Sequence, residues 1–284
     1  MGPVARGGRS LDRRKRTTGE MKTIFIVELI VKTMHFLQDA ALLCQDGLAS
    51  VNSSVAQIHQ SWKEKCEEEG EKAQEKLHFN LERRNWTLER ECDEEGITVK
   101  YARDPETNTY FLLTEVPLDL ELEWVAQDMR YHTLAATAEW NSDSMEFTIL
   151  ERMTHMCWVA YQATPPKLGG IIASRDMVIY IITRFVNGSY FVSTSSTEWP
   201  GMEPREDRVR ADMQKGGGFS LSPDPAGNGT RLRWVSTLDF NIPLISRIVP
   251  MAILRRIYVE GSRNYIAEMK KYLMARRGGR GGRD

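Results

Sequence analysis

The sequence predicts an α+β domain in which a curved antiparallel sheet wraps around a long C-terminal helix. Two observations carry that reading. Strand signals run almost unbroken from about residue 86 to 239, with helical stretches at the two ends. The last stretch, 250–277, then repeats Leu254, Ile257, Tyr258, Gly261, Tyr265, Met269 and Tyr272 at spacings of three or four. That puts them on one face of an amphipathic helix. Arg255, Arg256, Glu260, Arg263, Lys270 and Lys271 take the other face, and Pro250 suits a first helical position. Such a helix needs a sheet to cover, and it closes the open side of a curved one.

The elements follow in order. Residues 1–20 are Gly-, Arg- and polar-rich and read as a disordered basic leader. Two amphipathic helices are expected over 22–44 and 51–66, the second with the stripe Val51, Val55, Ile58, Trp62, Cys66. Their apolar faces call for the main domain, another copy of the chain or a membrane surface. A charged helix over 67–84 turns Ala73, Leu77 and Leu81 inward. Strands are expected over 86–91, 97–102 and 109–116, then a helix over 117–132 with Leu118, Leu122, Val125 and Met129 facing in. Further strands cover 145–152, 156–162, 175–185 and 189–197. The last two flank Asn187-Gly188, the strongest short hairpin signal. Strands over 209–213, 219–222 and 230–239 complete the set. The domains so read are a leader (1–20), N-terminal amphipathic helices (21–66), a strand-rich main body (67–275) and an Arg/Gly-rich tail (276–284).

Charge and cysteine use narrow the function classes. Net charge is −1, so no whole-molecule field selects nucleic acid or membrane. Cys44, Cys66, Cys92 and Cys157 show no paired spacing, which suits free thiols in a reducing compartment. The apolar run 24–31 contains Glu28 and is far too short to span a bilayer. An Arg-rich start could be a mitochondrial presequence, but Asp12 and Glu20 argue against it. The expected location is cytoplasmic. The Arg-Gly-Gly units of the tail are too few for a nucleic-acid reading.

Several pieces, taken together in their order and spacing, carry a resemblance. Trp86 opens the first strand after a charged helix, and Glu139-Trp140-Asn141 follows the second helix. Ser174-Arg175-Asp176 and Val209-Arg210-Ala211 start strands, and Trp234 to Asp239 and Pro250 lead into the last helix. From about residue 69 to 273 the chain resembles the StAR-related lipid-transfer (START) domain family. The resemblance implies a helix-grip fold with a tunnel between sheet and helix that holds one lipid. Similarity to the ceramide-transfer branch implies head-group contacts at Asn141, Gln162, Thr194 and Trp234. In the StAR-like sterol branch Gln162 would be an acid and Ile181 the arginine paired with it, so this chain lacks that ion pair. Two loops suit a gate: one with Leu168, Gly169, Gly170, Ile171 and Ile172, the other with Phe240, Ile242, Leu244 and neighbours. Loops this aliphatic suit an interface with a membrane. The lid face of the last helix is Leu254, Ile257, Tyr258 and Tyr265.

Other classes of function have weaker signals in the chain. His155 and Cys157 are expected on the same side of one strand, a conceivable nucleophile and base for a hydrolase- or thioesterase-like enzyme. No oxyanion motif accompanies them, and neither zinc spacing nor a phosphate-binding loop is present in the sequence. Arg175-Asp176 reads as a structural pair fixing the preceding loop. Residues 22–66 could instead mediate self-association or bind a protein. The expectation is a non-enzymatic lipid-binding and lipid-transfer protein that takes a sterol, ceramide or phospholipid. It implies no metal or cofactor, no nucleic-acid partner, and peripheral membrane contact.

Overall fold

A computed structural model describes residues 60–92, 94–104, 110–170, 172–237 and 251–280. The leader over 1–20, the helix expected over 22–44 and most of that over 51–66 lie outside the described residues. The chain divides into two compact units, Met1–Trp62 and Lys63–Asp284, and the fold below is that of the second.

Residues 60–81 form one continuous helix, α1, where the sequence suggested two that meet near 66. The residues around the junction are strong helix formers. The weak one, Gly70, is covered by Ile182, whose Cδ1 would lie 1.9 Å from a Cβ placed there. The inward stripe holds: Ala73, Leu77 and Leu81 are buried. Three strands follow: β1 (Thr87–Cys92), β2 (Ile97–Arg103) and β3 (Tyr110–Leu118).

The expected helix over 117–132 is shorter than its periodicity suggests. Pro117 and Leu118 extend β3 instead, opposite Arg231 and Thr230. Helix α2 (Leu122–Asp128) starts only afterwards and runs into a π-helical turn at Met129–Thr133. Sheet pairing has overridden local propensity, and Leu118 is buried as a strand residue. A short helix, α3 (Thr137–Trp140), precedes β4 (Glu146–Arg152) and β5 (Cys157–Thr164).

Next come β6 (Arg175–Val186) and β7 (Ser189–Ser196), joined at Asn187-Gly188 with φ of 51° and 75°. Both residues sit in the left-handed region that a type I′ hairpin turn demands. The strand expected over 209–213 shrinks to β8 (Val209–Arg210), which lies parallel to β6. β9 (Gly217–Pro223), β10 (Thr230–Thr237) and the long helix α4 (Met251–Arg280) complete the fold. Among the described residues ten strands make one curved sheet in the order β1-β2-β3-β10-β9-β7-β6-β5-β4, with β8 off this path on β6.

Strand alternation sends successive side chains to opposite faces. Leu112, Val192, Phe219 and Leu232 pack on the inner face with Val259, Ile266, Met269 and Leu273 of α4. Phe111, Leu113, Phe191 and Val235 pack on the outer face with Leu77 and Leu81 of α1. Polar bonds also fasten α4. Ser142 donates from its backbone N and its Oγ to Glu268 at 2.9 and 2.7 Å. Arg276 Nε reaches both oxygens of buried Asp128 at 3.0 Å. Arg263 meets the Glu95 carboxylate at 2.6 Å, and Lys270 donates to the Glu95 carbonyl at 2.8 Å.

Candidate functional site

The inner face is not filled. Between β4–β7, β9, β10 and α4 lies a cavity of about 240 Å³. A single water needs roughly 10–15 Å³ on this measure. The hollow therefore has room for a small organic group rather than a stray solvent molecule.

The pleat builds the wall. Along β6 the inward residues are Arg175, Met177, Ile179 and Ile181; along β5 they include Gln162 and Thr164. Gln162 stands between Phe147 of β4 and Met177 of β6. Thr194 stands opposite Ile181 on one side and Gly217 on the other. Trp234 of β10 stacks on Tyr265 of α4 with ring centroids 4.5 Å apart, and on Phe219 at 5.7 Å. Trp140 meets Tyr265 edge-on at 5.2 Å. Burial in this aromatic nest pushes the Tyr265 phenol well above its ordinary value. Asn141 is buried after α3, and its Oδ1 accepts the Asp143 backbone N–H at 2.9 Å.

Asn141, Gln162, Thr194 and Trp234 thus all line one cavity, as do Ile172, Ile257, Tyr258 and Tyr265. Ile171, Phe240, Ile242 and Leu244 lie outside the described residues, and so do the side chains of Leu168 and Leu254. The 168–170 turn has Gly169 and Gly170 at φ of 65° and 95°. It is closed by Lys167 and Ile172, whose backbones exchange hydrogen bonds of 2.8 and 3.1 Å. Lys167 also pairs with Asp143 at 2.6 Å, and both line the cavity.

Arg175 and Asp176 start β6 and face opposite sides of it, because neighbours on a strand alternate. Asp176 faces outward and accepts two bonds from Arg210, at 3.0 and 3.1 Å, and one from Tyr161 at 3.3 Å. Arg175 faces the cavity at 6% exposure. Burial pulls its guanidinium below the ordinary value, and the nearby Tyr258 phenol partly offsets this. The period-2 pattern that puts Arg175 on the face of Ile181 was legible in the sequence. One expectation is corrected: His155 lies before β5 rather than on it, and its carbonyl accepts Arg130 at 2.6 and 2.9 Å. Cys157 is buried on β5, and Cys66 beside it and burial push its thiol up. A contact that sequence reasoning missed is the buried hydroxyl pair Thr114–Ser262, 2.6 Å apart beneath α4, with Ser262 on the cavity wall. Among the described residues no group of three or more His, Cys, Asp or Glu is placed to hold a metal ion. None of the described helices is long and apolar enough to cross a membrane.

A sheet and a helix that enclose an apolar cavity with a few polar groups define a module for binding a small apolar molecule. The START domain family model matches residues 67–273, and the chain belongs to that family. Membership supports lipid binding and transfer as the general class of function, in a family that is generally non-enzymatic. Among solved structures, human StAR-related lipid transfer protein 5 superposes with a TM-score of 0.63 at 19% identity, covering 75% of this chain and 98% of that one. Human STARD10 gives 0.58 at 18% identity, covering 71% and 79%. A StAR-related lipid transfer protein fragment from Xanthomonas axonopodis gives 0.53 at 18%, covering 66% and 98%. At such identities the likeness shows the fold. No curated protein sequence matches the chain significantly.

Proposed function

We propose that this protein holds a single lipid in the cavity beneath α4 and carries it between intracellular membranes. The observation that supports this most is the hollow itself, an apolar chamber kept open where a sheet and a helix would otherwise interdigitate. Burying several hundred Å² of lipid surface yields on the order of 10 kcal/mol. Polar groups then select the head group, because each buried polar atom left unpaired costs about 1–3 kcal/mol. We assign that selection to Asn141, Gln162, Thr194 and Trp234. Gln162 and Ile181 are both uncharged, so the ion pair of the sterol branch is missing at these positions, which argues against sterol specificity. Ile257, Tyr258 and Tyr265 form the lid face, and the loops around Ile172 and Ile242 form the gate. The protein works in the cytoplasm and touches organelle membranes transiently through those loops.

Transfer of a labelled lipid from donor to acceptor vesicles tests this reading. The wild-type chain is expected to accelerate transfer. The Ile242→Asp/Leu244→Asp double variant should slow it several-fold while its circular dichroism stays unchanged. Equal rates for the two proteins would remove the gate. No acceleration by the wild type with sterol, ceramide or phospholipid would remove the transfer function.

A further inference from the structure

The outer face of the sheet holds a pair of side chains that the cavity does not use. Cys66 of α1 and Cys157 of β5 are free thiols, 2% and 4% exposed. They lie far apart in the sequence, and helix–sheet packing brings them together. Cys157 stands opposite Ile182 across the β5–β6 ladder. Ile182 in turn presses on the bare Cα of Gly70, one helical turn beyond Cys66 on the same face of α1. Tyr180, two residues before Ile182, donates its hydroxyl to the Glu69 carbonyl at 2.9 Å. These contacts set α1 in register on β6, and that register brings Cys66 over Cys157.

We propose that Cys66 and Cys157 are a redox site, oxidised by a small disulfide such as glutathione disulfide, whose bond fastens α1 covalently to the outer face of the sheet. The Cys66 thiolate attacks one sulfur of glutathione disulfide, the S–S bond breaks, and one glutathione leaves as thiolate. Cys157 then gives up its proton and attacks the Cys66 sulfur, which expels the second glutathione. Two protein thiols are oxidised, one glutathione disulfide is reduced to two glutathione thiols, and the protons from the cysteines end on them. Cys66 sits on α1, the element that must open, so it is the attacking sulfur. Burial makes the closed state slow to react, so exchange proceeds through opening of α1. Cys157 faces α1, whereas Gln162 on the same strand faces the cavity. The bond thus clamps the outer helix without entering the ligand chamber.

The full chain is incubated in glutathione buffers of graded oxidation, quenched with an alkylating agent and mapped by peptide mass spectrometry. A Cys66–Cys157 cross-link should grow with the oxidised fraction and form faster in mild urea. The cross-linked protein should melt higher by on the order of 10 °C, since the bond closes a long loop in the unfolded chain. Cys66→Ser and Cys157→Ser should each abolish both effects. If Cys157→Ser fails to fold, Cys66→Ser alone reads the result. Cross-links that join other cysteine pairs, or thiols that stay reduced in strongly oxidising buffer with mild urea, would overturn the proposal.

Discussion

The two faces of this one sheet are each covered by a helix, and they are covered in opposite ways. Under α1 the outer face is closely packed: Leu77 meets Phe111, Leu113, Phe191 and Val235, and Ile182 occupies the space a Gly70 side chain would need. Under α4 the inner face keeps a chamber of about 240 Å³. A helix over a hollow loses part of its dispersion contact, and polar bonds compensate. Glu268, Glu95 and Asp128 each tie α4 to a neighbouring segment. Both helices are packed on the sheet and bonded to it; the difference is the chamber left under α4. Stability and binding are thereby assigned to different faces of the same strands.

That contrast can be broken or sharpened by substitution. The largest expected effect is on the outer face. Leu77→Ala removes a fully buried side chain from a packed layer and should cost about 3 kcal/mol in urea unfolding, with lipid binding unchanged. Next is the clamp on α4. Asp128→Ala leaves Arg276 and Thr133 without their shared acceptor and should cost about 2 kcal/mol. Unlike the Leu77 change, it should also speed loss of bound lipid, read by the decay of a fluorescent ligand signal on dilution.

A smaller effect sets two helical glycines against each other. Gly70→Ala would drive its Cβ to 1.9 Å from Ile182 Cδ1, whereas a Cβ at Gly261 meets nothing nearer than Asp143 Oδ2 at 3.9 Å. The first should lose about 1 kcal/mol through overpacking. The second should gain about 0.5–1 kcal/mol of helix propensity. Melting temperatures that moved in the same direction would contradict the contrast between a filled and a hollow face.

The smallest effect is an alkaline one. Burial beneath α1 pushes the Tyr180 phenol up to about 12. Its folded value is raised above the unfolded one near 10, so the neutral form's stabilisation is complete below about pH 10. It is lost as pH rises from there through about 12. Tyr180→Phe should flatten that part of the stability curve measured by urea titration at graded pH.

Much of this was legible in the sequence because it depends on local periodicity. The three-four spacing over 250–277 and the alternation along β6 mark the lid helix and the wall it covers. The left-handed turn at Asn187-Gly188 fixes the register of β6 and β7. The resemblance contributed Asn141, Gln162, Thr194 and Trp234, which come from four separate segments that no local pattern joins. What the sequence hid was set by tertiary pairing. Leu118 has helix periodicity but is drawn into β3 by Thr230. Asp176 is turned outward to Arg210, a partner on another strand that no local pattern marks. Thr114 and Ser262, or Cys66 and Cys157, become neighbours only once the helices lie on the sheet.

Native mass spectrometry of the purified chain tests the central claim most directly. The purified protein should show a population carrying one lipid per chain, and the same one-to-one adduct after incubation with lipid vesicles. Ile181→Trp, which fills the chamber from its wall, should remove that adduct while the protein stays folded. A wild-type chain that never carries lipid, or an Ile181→Trp chain that carries it as well as the wild type, would contradict the account.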